Sequence, residues 1–126
     1  MEPICNGPSP SKRPASQGWY PDTISTDITK GHADPTDPVI DMPTTMSKFL
    51  FLGLSVEQVI QRVTTNSAKM FKYPEKIGVL NEGGIADVSV FEIQNGEFEF
   101  LDSRKTKRVG KQRFAHVVTI KGGKVA

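Results

Sequence analysis

Residues that favour extended backbone occur in this chain in two places that lie far apart. Thr23, Ile24, Thr26 and Ile28 crowd the stretch "PDTISTDI" (21–28), and β-branched side chains at that density suit a strand. Nothing of like character follows before residue 86. A strand leaves amides and carbonyls that need partners. The early strand therefore either pairs with a distant sheet or belongs beside strands that this sequence does not contain. Any fold for the chain has to satisfy that condition.

Between the two places the pattern is loop and then helix. "TKGHADPTDPVID" is punctuated by Gly31, Pro35 and Pro38, which mark a loop. In "MPTTMSKFLFLG" the apolar side Met46, Phe49 and Leu50 predicts a short helix, capped by Thr44 or Thr45 and stopped by Gly53. Ser55 and Gln58 have the spacing of a capping box. Val56, Val59, Ile60 and Val63 then recur at i, i+3, i+4 and i+7, one stripe of an amphipathic helix. Residues 64–66 interrupt it, "SAKMF" predicts a further turn capped by Asn66 or Ser67, and Pro74 ends the helical region.

Past Pro74 the period shortens to that of strands. "ADVSVFEI" (86–93) and "EFEFLD" (97–102) are expected to pair through a hairpin turn at Asn95 and Gly96. "RFAHVVTI" (113–120) reads as a third strand, the basic "SRKTKRVGKQ" as the loop before it, and Gly122 with Gly123 as a turn into "KVA". The fold class is α+β. The expected organisation is a disordered arm over 1–18, rich in proline, a helical unit with one leading strand over 19–73, and a small antiparallel sheet over 74–126.

A formal charge of +2 is too mild to imply a nucleic-acid partner. The single cysteine, Cys5, excludes an intrachain disulfide and gives no argument for secretion. No apolar run approaches the roughly 18–20 residues needed to cross a bilayer, and "MEPICNGPSPSKRP" has no signal-peptide core. A soluble cytoplasmic protein without membrane contact is expected. With two histidines and one cysteine, no zinc site of the usual composition can be assembled at convincing spacing.

The candidate for chemistry is Asp27. An acid after a strand often serves as a turn former or helix cap, and at the carboxyl end of a barrel strand it stands where catalytic groups sit. Composition does not separate these readings. His32, beside Asp34 and Asp37, fits a solvated loop, and His116 fits a packed or hydrogen-bonded position on a strand. "RKTKR" (104–108), with Lys111 and Arg113 beyond it, has no interleaved aromatic residue and so offers no base-stacking surface. "NEGGIAD" (81–87) lacks the lysine and following helix of a phosphate-binding loop.

Three stretches together resemble the C-terminal end of the amidohydrolase superfamily. "GWYPDTISTDI" (18–28) is similar to the eighth barrel strand and its acid. "MPTTMSKFLFLGLSVEQVIQRVTTNSAKMF" (42–71) is similar to the helical segment leading into a T-x-N-P-A motif, with Ser67 in place of the proline. "EKIGVLNEGGIADVSVFEI" (75–93) with "VTIKGGKVA" (118–126) resembles the passage out of the barrel into a β-sandwich. The wording "PDTISTDI" with "PTTMSKFL" points to the dihydroorotase-like and deacetylase-like branch.

The resemblance implies the last strand and helices of a (β/α)8 barrel beside part of a β-sandwich. It also implies hydrolysis of C–N bonds in cyclic amides or acylated amino compounds, with zinc or another divalent metal activating a water whose pKa falls to about 7. Asp27 matches the acid that touches the metal and acts as general base. The H-x-H pair, the bridging lysine or carboxylate and the two further histidines of such enzymes have no counterpart here, and neither His32 nor His116 matches one. The expectation is a truncated enzyme, inactive by itself, in which Asp27 is a metal ligand only with ligands absent from this chain. Its partner would be the small amide substrate of complete relatives. The alternative is a non-catalytic β-sheet interaction module that self-associates through exposed sheet edges. Without barrel neighbours the stripe at 56–63 forgoes part of the roughly 1.5–3 kcal/mol per buried aliphatic side chain, unless the helical and sheet halves pack on each other.

Overall fold

The structure, a computed structural model, describes residues 18–28, 40–72, 76–102 and 104–126. The proline-rich arm before Gly18 and the loop holding His32, Asp34 and Asp37 lie outside the described residues.

Helix α1 covers Met42–Phe51. Its cap is Asp41, one position before the helix, and not Thr44 or Thr45. The Thr44 amide donates to Asp41 Oδ1 at 2.7 Å, and Pro43 sits in the first turn, where a missing N–H leaves nothing unsatisfied. The other end closes as the sequence predicts, at Gly53 (φ 105). The Leu54 amide donates to the Phe49 carbonyl and the Gly53 amide to that of Leu50. This is the paired closure of a Schellman motif. Leu54 and Phe49, the apolar pair that accompanies it, are both buried.

Helix α2 covers Val56–Val63 and carries the expected capping box: Ser55 Oγ accepts from the Gln58 amide and Gln58 Oε1 from that of Ser55. The helical path breaks at Thr64 (φ −125, ψ −93) and resumes at once as α3, Thr65–Met70. The interruption is thus a single residue, shorter than the gap over 64–66, and α3 starts without a side-chain cap at Asn66 or Ser67.

The sheet corrects two expectations. Strand β1 runs unbroken over Val88–Leu101 and β2 over Lys107–Lys121, paired antiparallel. Asn95 and Gly96 make no hairpin turn. Neither adopts a positive φ, and the register shifts between Asn95 and Phe98, so that Gly96 and Glu97 stand opposite Lys111 as a bulge. The hairpin turn forms at 102–106. There Asp102 Oδ1 accepts from the amides of Arg104 (2.9 Å) and Thr106 (2.8 Å), and Lys105 takes φ 59. The basic stretch is accordingly strand from Lys107 onward. Lys107 reaches Glu99 at 3.0 Å and Lys111 reaches Glu97 at 2.8 Å across the ladder. The turn at Gly122 (φ 57) and Gly123 (φ 80) is as expected; two successive positive φ angles suit a two-residue hairpin and lead into β3, Lys124–Val125.

Helices and sheet share one core. Met46, Phe49, Leu54 and Val59 from the helical region bury against Phe114 of β2, with Phe91 and Ile93 of β1 packed alongside. Val59 is fully buried, Val56 and Val63 pack against the cluster, and Ile60 is 38% exposed. The helical stripe thus finds its cover in the sheet half of the same chain. Ser47 completes the seam. Its hydroxyl donates to the Pro43 carbonyl (2.6 Å) and accepts from the Phe114 amide (2.9 Å), satisfying a buried N–H on the side of β2 that faces α1.

Candidate functional site

The residues expected as the leading strand, 21–28, join no strand ladder among the described residues. Their backbone is held by the helical region instead. Tyr20 Oη donates to the Leu52 carbonyl at 2.9 Å. Arg62 Nε donates to the Pro21 carbonyl at 2.8 Å, and Asn66 Nδ2 to the Asp22 carbonyl at 3.0 Å. The Ile24 amide donates to the Arg62 carbonyl at 3.2 Å, and the Ile24 side chain enters the core. β-Branching favours extended backbone, but pairing needs a neighbouring strand, and here α2 and α3 supply the hydrogen-bond partners.

Asp27 lies three residues beyond Ile24. Its side chain is exposed and its φ is 52, in the left-handed region that aspartate tolerates better than most side chains. The acid thus stands three residues past the last anchored position of the segment, Ile24. That geometry suits a turn former, and it equally suits a carboxylate presented to a reacting group.

A cleft of ≈ 410 Å³ opens between the helices and β1, lined by Met42, Met46, Ile60, Val63, Leu80 and Phe91 among others. Asp27 is not among its lining residues. Gly78 closes one side of this region at φ 72, and a Cβ there would stand 3.0 Å from the Thr64 backbone. Only glycine permits both that angle and that approach.

The other sequence candidates fall elsewhere. His116 is exposed on β2, edge-on to Phe91 (5.9 Å between centroids), with Nε2 2.8 Å from Thr119 Oγ1. Residues 81–87 form turns, with Gly83 at φ 76. Asp87 binds the β2–β3 turn through the Lys121 ammonium and the Gly122 amide (2.8 Å), and these bonds, Lys121 first, hold its carboxyl below the usual range. Among the described residues no three His, Cys, Asp or Glu side chains stand together as a metal cage. The donor set of those residues does not fit the divalent ion that the resemblance implies.

Arg62, Asn66 and Tyr20 escape a reading by residue chemistry. Asn66 carries a signal, because it is the asparagine of the T-x-N pattern. Nothing in the sequence marks Arg62, which lies on the flank of an amphipathic helix where arginine is ordinary.

The amidohydrolase family matches residues 18–126. A deacetylase of Enterococcus faecalis is 35% identical over 109 residues, covering 86% of this chain and 29% of that protein. A deacetylase of Agrobacterium fabrum is 35% identical over 104 residues, covering 79% of this chain and 25% of that protein. Among solved structures, an adenine deaminase superposes with a TM-score of 0.83 at 32% identity and a dihydroorotase with 0.79 at 29%. Each superposition covers 91% of this chain and 31% of the other. The chain therefore spans under a third of the length of these relatives, and its α+β architecture is that of the last strand and helices of their barrel with the small antiparallel sheet beside them. A match that spans Gly18 to Ala126, taking in the Asp27 segment, the helices and the sheet, settles the family: the chain belongs to the amidohydrolases.

Proposed function

We propose that these residues serve a metal-dependent hydrolase acting on C–N bonds of cyclic amides or acylated amino compounds, with Asp27 as the general base. The family generally works with divalent metals. The observation that carries the reading is that Asp27 falls within the matched span, on the stretch similar to the acid-bearing strand. The names of the relatives, deacetylase, adenine deaminase and dihydroorotase, support C–N chemistry as the class. What this chain contributes is a carboxylate able to accept a proton and release it to a leaving nitrogen. Ligands able to complete a metal site with Asp27 would come from outside the described residues, and on this reading they belong to a part of the enzyme beyond these 126 residues, which by themselves would not catalyse.

Two assays test this. The purified chain, offered zinc with an acetylated amino acid, dihydroorotate or adenine, should show neither turnover nor stoichiometric zinc; both appearing together would overturn the reading. Mixed with the part of the Enterococcus faecalis deacetylase that it does not cover, the chain should restore metal-dependent hydrolysis. The Asp27→Asn chain should then be slower by roughly 10²–10⁴, the usual worth of general acid–base help. Equal rates would remove Asp27 from the reaction.

The interaction-module reading has one observation in its favour. Among the described residues, β1 pairs with β2 only, which leaves its other edge unpaired along Val88–Leu101. Light scattering decides it: a monomer at high micromolar concentration argues against self-association through that edge.

A further inference from the structure

We propose that Arg62 and Asn66 are positioning residues for the Asp27 carboxylate, fastening the segment before it across the break between α2 and α3. This rests on the reading of Asp27 as the general base.

The fastening is dense for so short a stretch. Tyr20, Pro21, Asp22 and Ile24 each make a hydrogen bond to a residue between 32 and 44 positions away. Arg62 acts twice, through its guanidinium on the Pro21 carbonyl and through its own carbonyl on the Ile24 amide. Its Nη1 also donates to the Gln58 carbonyl at 2.9 Å, which fixes the side chain in the pose that reaches Pro21.

The break at Thr64 is what makes the second contact available. In an unbroken helix the Arg62 carbonyl would accept the amide four residues on. With Thr64 at φ −125, ψ −93, that carbonyl turns outward and takes the Ile24 amide and the Ser67 hydroxyl (2.8 Å). The serine that stands where the family motif has proline is thus engaged at the clamp itself. Asn66, one residue earlier, holds Asp22.

Asp27 is three residues past Ile24, a separation of at most about 10 Å at roughly 3.3–3.6 Å per residue. A slip of the clamp is carried along those residues to the carboxylate. Reaction rates are sensitive to such displacements, since misplacement by about 1 Å can cost about 10²-fold. The polar bonds to 21, 22 and 24 set a position; the burial of Ile24 alone would set only a neighbourhood.

The test uses the isotope-labelled 126-residue chain in solution. In Asn66→Ala and in Arg62→Met the amide of Ile24, which donates to the Arg62 carbonyl, should exchange up to about tenfold faster, as expected for losing one net hydrogen bond. The Asp27 resonances should move toward random-coil positions while the Val59 and Phe114 amides keep their protection. Arg62→Lys, which returns one donor to Pro21, should restore the Asp27 signals in part. Thr65→Ala is the control, since that hydroxyl also reaches across the break, to the Gln61 carbonyl (3.4 Å), but touches no residue of the segment before Asp27. Unmoved Asp27 signals in both variants would overturn the proposal. So would parallel loss of protection at Val59 and Phe114, or failure of both variants to fold, because the two side chains would then carry the fold and not the pose. The readout is backbone order and not turnover, so its failure leaves the general-base reading standing. Failure of the Asp27→Asn complementation would instead leave the clamp intact and take away its purpose.

Discussion

Between α1 and β2, Met46, Phe49 and Phe114 are almost wholly removed from water, while the segment leading to Asp27 buries Pro21 and Ile24 and holds the rest of its course by hydrogen bonds to Leu52, Arg62 and Asn66. The first region is stabilised by area. Burial acts in proportion to the apolar surface removed and has little direction, so it fixes that α1 lies on the sheet without dictating where any one atom stands. The second region gains little from each contact, about 0.5–1.5 kcal/mol net per hydrogen bond, but every contact names a donor and an acceptor. A chain that must hold a fold and also present one carboxylate at one place uses both kinds of bonding, and it uses them in different places.

The largest break in this contrast should come from Phe49→Ala. Removing a ring that is 2% exposed leaves a cavity against Phe114 and Leu54, and about 3–5 kcal/mol of stability should be lost in urea unfolding. A loss below about 1 kcal/mol would mean that the seam is not what holds the halves together. Ser47→Ala sharpens the comparison from inside the apolar region. It strips the buried Phe114 amide of its acceptor, and an unsatisfied buried donor costs about 1–3 kcal/mol. If Ser47→Ala is neutral, water reaches that amide and the seam is wetter than its burial implies.

A milder change lies outside both regions. Ser55→Ala removes the oxygen that receives the Gln58 amide at 3.2 Å and should lower stability by about 1 kcal/mol. Its effect should appear in the denaturation midpoint and leave the Asp27 resonances alone. Movement of those resonances would show that the pose of the acid depends on α2 as a whole and not on Arg62 and Asn66 in particular.

These contrasts also explain what the sequence made legible. The capping box at Ser55 and Gln58, the stop at Gly53 and the turn at Gly122 and Gly123 depend on residues within four positions of one another, and local rules find them. The stripe at Val56, Val59, Ile60 and Val63 named a buried face, though its cover, the side chains of β1 and β2, was legible only as a condition. Asn95 and Gly96 are a strong turn pair by local rules, but those rules leave out the strand that pairs opposite them. Residues 107–112 extend the ladder opposite 95–101, and pairing on both sides of the glycine outweighs its turn preference. Thr44 and Thr45 fit a cap by residue type, but Pro43 stands at the start of the helix, where proline marks the first turn, and that leaves Asp41 as the cap. At the site, the acid was legible and its fastening was not. Contacts that bridge 41 and 44 positions leave no periodic trace, and the β-branched residues of the early segment match a strand, with no local sign that helices take its hydrogen bonds.

The smallest effect is expected at the β2–β3 turn, where Asp87 works through an ion pair with Lys121 and a hydrogen bond from the Gly122 amide on an exposed surface. Its carboxylate accepts from Lys121 and from the Gly122 amide, and both bonds lower its pKa in the folded chain. A group depressed by folding adds stability above its unfolded value and loses that contribution as pH falls through the folded value. The unfolded value is about 3.9. The melting temperature of the unaltered chain should therefore exceed that of Asp87→Asn by a constant margin from pH 7 down to about pH 5, and the two should converge below about pH 4. Salt distinguishes the two bonds. At about 1 M the screening length is near 3 Å, which weakens the attraction to the exposed Lys121 ammonium more than the bond to the Gly122 amide. Raising salt at neutral pH should thus narrow the margin without closing it. A margin that vanished in salt would assign the turn to charge alone, and one that salt left unchanged would assign it to the amide.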